Sequence, residues 1–474
     1  MTSSARQTRL GGLFLFAALA IMAPACSSGP LGAVSGVFKG GDKKKDDSAP
    51  KEEDRISIIA LEETIEPDPR YAGATIDLPA SYENDSWTTS GGEADHTLHH
   101  IEAAGTFDVV WKADIGKASS KRARLTSPPI VADGVLYAID ADAEVTAFDA
   151  KTGERKWRSE LAPKIKEKKR LRDFILSRTK PSQIGFGGGV AYDDGKLFVT
   201  SGFGFVAALD AATGEELWRY ETDEPVRQPP TAYRGVVYFV TNTNVAIALS
   251  GETGEKIWDY QSFAEGARIL SAAAPAAAGD LVVAPFSSGE VAALLAGSGN
   301  AVWDQTLARN TQLTALASLN DIAGSPVIDR GLVFAVSHAG HMVAIDIRTG
   351  ATVWEVPIAS LQMPWVAGDY IFVVSVDSEL VCLNRTDGAV VWLSQLPRYK
   401  NPKKHKGRIS WAGPVLATDG LILVSSEGEL VKVSPQDGTI MAKKKLDEAS
   451  DISPIIADGM IFALTQSGKL YALK

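Results

Sequence analysis

The sequence is poor in the residues from which most catalytic and metal centres are built. It has 2 Cys and 6 His among 474 residues, too few for a disulfide framework and not clustered at the spacing of a structural zinc site. Walker loops, Gly-x-Ser-x-Gly elbows and His-Glu-x-x-His pairs are absent, which removes the chemistry those motifs carry. Positive charge is also short: 48 Lys and Arg against 58 Asp and Glu leave −10, whereas a dedicated nucleic-acid binder needs the opposite excess. The apolar run at 13–22 is shorter than the roughly 20 residues of a spanning helix. What remains, 45% hydrophobic and 22% charged residues, is the balance of a folded water-soluble chain. A single core stops growing at roughly 250–300 residues, so a chain of this length calls for several domains or a repeat array.

Arg6 and Arg9 precede that apolar run, and Ala23-Pro24-Ala25-Cys26 follows it, the order of a secretory signal. Small residues ending at a cysteine resemble a bacterial lipobox, although Ala23 stands where Leu is usual. The resemblance implies a signal peptide over 1–25 and lipidation of Cys26; the alternative is an ordinary signal with an incidental cysteine. Residues 26–104 lack a sustained apolar period and contain Lys43-Lys44-Lys45-Asp46-Asp47 and Glu52-Glu53-Asp54, which reads as a solvated tether. Such a tether reaches on the order of 50 Å. His96, His99 and His100 fall inside it and are read as incidental.

Residues 105–474 repeat one unit: a small residue, an apolar one, often Asp, then Thr-Gly or a relative, and Trp four residues after the Gly. The copies run from Ala147-Phe148-Asp149, Thr152-Gly153 and Trp157, through Trp218, Trp258, Trp303 and Trp354, to Cys382-Leu383-Asn384, Asp387-Gly388 and Trp392. A seventh, at 431–438, has Ala442 in the Trp position. Each ends a block of four short strands whose first hairpin is marked by a Gly-containing turn such as Asp133-Gly134. There are eight such turns for seven full motifs. Ala472-Leu473-Lys474 starts a motif and stops, while Trp111 belongs to a strand with no block before it. The fold expected is therefore all-β: an eight-bladed β-propeller of four-stranded antiparallel blades, closed by an N-terminal strand. Trp111, Trp157, Trp218, Trp258, Trp303, Trp354 and Trp392 are expected to dock adjacent blades, filling the wedge between them.

This unit resembles the Trp-docking repeat of quinoprotein-type propellers. With the lipobox, the chain most resembles the BamB family of outer-membrane assembly lipoproteins. The stretch from Asn320 to Val327 followed by Ser337-His338-Ala339-Gly340-His341 resembles α-proteobacterial versions of that family. The resemblance implies no catalytic residue, cofactor or metal. It implies a non-catalytic scaffold of the β-barrel assembly (BAM) complex, lipid-anchored at the outer membrane, facing the periplasm and bound to a BamA-type partner. Nascent β-barrel proteins are further partners it suggests. Two inter-blade loops that hold the BamA contact in better-known relatives match Ala267-Arg268-Ile269-Leu270 and Asp321-Ile322-Ala323, so Arg268, Ile269, Leu270, Asp321 and Ile322 are the candidate partner-binding residues.

Other readings stand beside this one. The alternatives are a scaffold or ligand-binding propeller of another envelope complex and a dehydrogenase using pyrroloquinoline quinone and Ca²⁺. Against the enzyme, Cys26 is assigned to lipid and Cys382 to a buried strand, so no adjacent cysteine pair exists. His338 and His341 read as a hairpin tip rather than a metal site with Asp346. Two basic loops, 164–180 and 398–408, read as solvated faces, with anionic headgroups or an acidic partner as the sharper alternative.

Overall fold

In the computed structural model the described residues are 65–103, 106–121, 123–162, 187–263, 273–307 and 321–474. Residues 63–474 form one compact unit, and the other, 1–62, lies outside the described residues. The compact unit is the expected propeller. Eight four-stranded antiparallel sheets follow one another at 130–160, 188–221, 231–261, 276–306, 327–356, 365–395, 411–445 and 455–473, the last completed by Val109–Asp114. They are called blades 1 to 8 in that order.

Burial grades across each blade. In blade 1 the inner strand Ile130–Ala132 and most of Val135–Ile139 and Glu144–Asp149 are buried, whereas Arg155–Glu160 alternates exposed and half-buried. Strands buried on both faces read as continuous Val, Ile, Leu and Ala runs; the outer strand meets water on one face and alternates.

The recurring residues make one joint. Trp157 lies directly across from Ala147, Trp218 from Ala208, Trp258 from Ala248, Trp303 from Ala293, Trp354 from Ala344 and Trp392 from Cys382. The first motif position is small because an indole faces it. Each indole then reaches the following blade: Trp157 Nε1 donates to Ala211 O at 3.0 Å and Trp218 Nε1 to Gly251 O at 3.0 Å. The motif glycine lies under the ring, and a Cβ on Gly214 would stand 2.5 Å from Trp157 Cε3. Asp210 closes the same turn, its carboxylate accepting from Thr213 N at 2.8 Å and Thr213 Oγ1 at 2.9 Å.

Ring closure follows the same rule. Val109–Asp114 pairs with Lys469–Leu473, placing Trp111 opposite Ala472, and Trp111 Nε1 donates to Ala150 O of blade 1 at 3.1 Å. Blade 7 departs from the rule for a reason in blade 8. The outer strand of blade 8 is Val109–Asp114, from the N-terminal side, rather than one joined to Lys469–Leu473 through a Thr-Gly turn of the kind on which the motif Trp docks elsewhere. Ala442 instead faces Lys432, which is 5% exposed, pairs with Asp419 at 2.7 Å and lies 5.7 Å from the centre of the buried Phe107 ring.

The tether expected over 26–104 is corrected in its second half. Residues 65–103 form an ordered strap rather than a solvated linker, with Ile76, Trp87, Leu98, Ile101 and Ala103 all buried. The sequence misses it because the strap has almost no regular structure of its own. Apart from the single 3₁₀ turn Pro69–Tyr71 it makes only isolated bridges, so no period marks it.

Candidate partner-binding face

Antiparallel order gives the ring two unlike ends. The first turn of every blade and the third turn of blades 1 to 7 lie at one end; the middle hairpins and inter-blade connections lie at the other. These are the turn end and the loop end.

The strap closes the turn end. The innermost strand of a blade has one unpaired edge, and buried backbone groups there need partners. Strap residues supply them on six blades: Asn84 Nδ2 to Ile456 O (3.1 Å), Trp87 N to Val131 O (2.6 Å), Thr88 O from Tyr192 N (2.8 Å), Ala94 O from Ala277 N (2.7 Å), Asp95 O from Ile328 N (2.9 Å) and Ile101 N to Leu416 O (3.3 Å); on blade 6 His99 O instead accepts from the side chain of the inner strand, Trp365 Nε1 (2.7 Å). The histidines of the strap are structural. His96 is buried, its Nδ1 2.7 Å from Pro326 O, and burial pulls its pKa down to about 4. His100 places one ring nitrogen 2.7 Å from Pro79 O and the other 3.1 Å from Ala417 O.

A cavity of about 440 Å³ lies among the segments that lead into the inner strands, walled by Leu125, Met363, Trp365, Trp411 and Ile452. Trp87 of the strap, also in its lining, stacks on Trp365 with ring centroids 6.2 Å apart. The acid in the lining, Asp451, is paired with Arg124 at 2.9 Å. Among the described residues no three His, Cys, Asp or Glu converge as a metal site. A quinone with its metal finds no carboxylate set in this lining. Cys382 is buried beside Trp392, and burial pushes its thiol well above the usual range.

Arg268, Ile269 and Leu270 lie outside the described residues. Asp321 and Ile322, candidates for the partner contact, are described and interior: each is 1% exposed. Ile322 packs in a cluster with Trp303, Leu307 and Ile328, its N–H reaching Phe286 O of blade 4 at 3.3 Å, while Asp321 O accepts from His338 N at 3.0 Å. These residues staple blade 4 to blade 5 from within. The neighbour relation of the two loops does hold at their described ends, because Ala274 N donates to Ser325 Oγ at 2.9 Å. Position before the strand suggested the loops; the burial of Asp321 arises from long-range packing that spacing does not report.

His338 and His341 sit at the loop end of blade 5 but converge on nothing. His338 is half-buried, which lowers its pKa, with the Arg408 charge adding to the effect. His341 Nδ1 pairs with Glu355 across the sheet. Asp346 is engaged with Thr349 in its own turn at 2.9 Å. The basic loop 164–180 lies outside the described residues, whereas 398–408 is a compact hairpin, Tyr399–Asn401 paired with Lys406–Arg408.

The family described as outer membrane protein assembly factor BamB matches residues 175–394. The β-propeller domain of glucose/ethanol/alcohol dehydrogenases matches 97–180. A relative from Salmonella typhimurium, named outer membrane protein assembly factor BamB, is 27% identical over 79% of this chain and 91% of its own. Among solved structures, BamB from Moraxella catarrhalis superposes with a TM-score of 0.64 at 18% identity, covering 78% of this chain and all of that one. A europium-containing methanol dehydrogenase gives 0.61 at 14% identity, over 82% and 89% of the two chains. At such identities the solved structures establish the shared propeller and nothing finer.

Proposed function

We propose that the chain is a BamB-type protein, a non-catalytic scaffold of the outer-membrane β-barrel assembly complex that assists insertion of β-barrel proteins by binding the BamA-type component. The assembly-factor name of its relatives supports a role without catalysis and an association with the outer membrane. A signal over 1–25 and a lipid anchor at Cys26, with the ring facing the periplasm, complete the reading.

The observation that carries it is the asymmetry of the ring. The chain's own strap occupies the turn end, so a partner is received at the loop end, where the flanks of the two candidate loops are joined through Ala274 and Ser325. Ile269 and Leu270 supply the apolar anchor and Arg268 the charged rim that a modest interface needs. Asp321 and Ile322 act beneath it by fixing the platform.

Pull-down of the full chain from solubilised membranes tests the reading. The BamA-type protein is expected to co-purify, and Ile269→Asp with Leu270→Asp to abolish recovery at an unchanged melting temperature. Recovery of another complex lacking any barrel-assembly component would reject the function and leave the propeller standing.

A further inference from the structure

The hairpin at 398–408 is stiff and unevenly charged. Its tip is the 3₁₀ turn Pro402–Lys404, capped by Asn401, whose side-chain oxygen accepts Lys404 N–H at 3.1 Å, and ended by His405 in the left-handed region. The rings of His405 and Tyr399 stack at 5.2 Å. At the base the cations are neutralised: Arg398 and Arg408 share Asp377, and Lys400 meets Glu427 at 2.6 Å. At the tip they are not. Lys403, Lys404 and Lys406 are exposed and have no ion-pair partner among the described residues. Three ammonium groups held together repel one another in a protein whose net charge is −10, and only an external anion relieves that repulsion.

A second observation concerns the strand that leads into this hairpin. The outer strand of blade 6, Val390–Gln395, is where the described chain begins: Asp68 N donates to Val390 O at 2.8 Å, Arg70 pairs with Asp387 at 3.0 Å, and Ile65 packs on the cluster that contains Val390. The residue before the motif Trp is exposed on other blades, at 46% for Ile257, 42% for Val302 and 50% for Val353, but Val391 is only 7% exposed. The described residues therefore begin at one end of this strand, and the basic hairpin leaves from the other. Six residues of strand separate them by about 20 Å.

We propose that the hairpin is a second membrane contact, in which Lys403, Lys404 and Lys406 meet anionic lipid headgroups on the side at which the described residues begin. A lipid anchor at Cys26 by itself specifies no face of the ring toward the bilayer. Two contacts on one blade edge turn that edge to the bilayer, so both ends of the ring stay clear of it. Lysine is a compact point charge suited to a diffuse layer of phosphates, and apart from Pro402 the exposed tip is polar or cationic, without the large apolar or aromatic anchor of a protein interface. The inference rests on the outer-membrane reading above for the presence of a bilayer.

The test uses the full chain with Cys26→Ser, so that no acyl chain contributes, sedimented with phosphatidylcholine vesicles or with vesicles containing roughly a third phosphatidylglycerol. Binding to the anionic vesicles alone is expected, weakening as salt rises. Each lysine is worth about fivefold near such a surface, so Lys403→Gln, Lys404→Gln and Lys406→Gln together should lower the partition on the order of 100-fold. The corresponding three arginine substitutions should retain it. Equal binding to both vesicle types, an unchanged partition for the glutamine variant, or hairpin-dependent capture of an acidic protein without vesicle binding would each overturn the proposal. Failure of the outer-membrane reading shows separately, as an intact Cys26 chain that fractionates away from membranes.

Discussion

Gly195→Ala and Gly214→Ala pose the same backbone problem and should have different consequences. Both glycines have φ +75°, where an added Cβ costs about 1–2 kcal/mol. Around Gly195 nothing lies within 4 Å of that Cβ, whereas at Gly214 it stands 2.5 Å from Trp157 Cε3. Ordinary carbon contacts are at about 3.5–4.0 Å, so the indole or the turn must move by an ångström or more. Overpacking of this kind costs about 1–3 kcal/mol, and displacing the indole also forfeits the 3.0 Å bond to Ala211 O, about 1 kcal/mol more. The expected losses are therefore about 1–2 kcal/mol for Gly195→Ala and about 3–6 kcal/mol for Gly214→Ala. Urea unfolding followed by circular dichroism should show a larger shift of midpoint for the second at an unchanged slope. Trp157→Ala removes the obstacle, so the double variant should cost roughly 2 kcal/mol less than the sum of the singles. Equal midpoints for the two glycine variants, or additivity in the cycle, would refute the joint as described.

The strap should make the ring acid-sensitive through His96. Its folded pKa of about 4 lies below the ordinary value, so the unfolded chain binds the extra proton first; the stabilisation is complete above about pH 6.5 and is lost as pH falls through 4, amounting to about 3 kcal/mol. Urea midpoints measured from pH 7 to pH 4 check this, and His96→Phe should flatten the profile. Deleting 106–116 removes Phe107, Trp111 and the outer strand of blade 8; the two aromatics alone are worth roughly 6–10 kcal/mol. Aggregation and a collapsed thermal midpoint are expected, and deletion of 41–54 should cause neither; matching midpoints for the two deletions would contradict the closure.

The ring was legible because its information is local and repeated. Trp218 follows Gly214 by four residues in every sense that matters: the turn, the bulge and the cross-strand partner Ala208 are all set within eleven residues. The strap was not legible because its information is long-range. Trp87 is buried by Val131 and Trp365, which lie 44 and 278 positions away, and its backbone bonds go to strands that sequence already pairs on their other side. Asp321 was misread for the same reason. A polar residue before a strand suggests an exposed turn, and only the packing of Phe286, His338 and Leu307 around this segment makes it interior. The candidate site is thus divided: the pairing of the two loops survives at Ala274 and Ser325, while the assignment of Asp321 and Ile322 to its surface does not.

Departures from the repeat are the most informative residues in the chain, because each marks a place where something outside the repeat touches it. Ala442 stands in the Trp position beside blade 8, whose outer strand comes from the N-terminal side, and the Lys432 opposite it lies 5.7 Å from the Phe107 ring of that N-terminal segment. Val391 is covered where its counterparts are bare, because the start of the strap lies along blade 6. Cys382 stands at a position that is alanine on most blades and faces Trp392 without changing the joint, so it departs in identity and not in size. The first two departures fix how the N-terminal chain meets the ring, at blade 8 for closure and at blade 6 for exit. Blade 6 also leads, through Leu396 and Pro397, into the basic hairpin. The side of the ring that the sequence leaves undistinguished among eight similar blades is therefore singled out by its neighbours, and the proposed membrane contact belongs to that one edge rather than to the propeller as a whole.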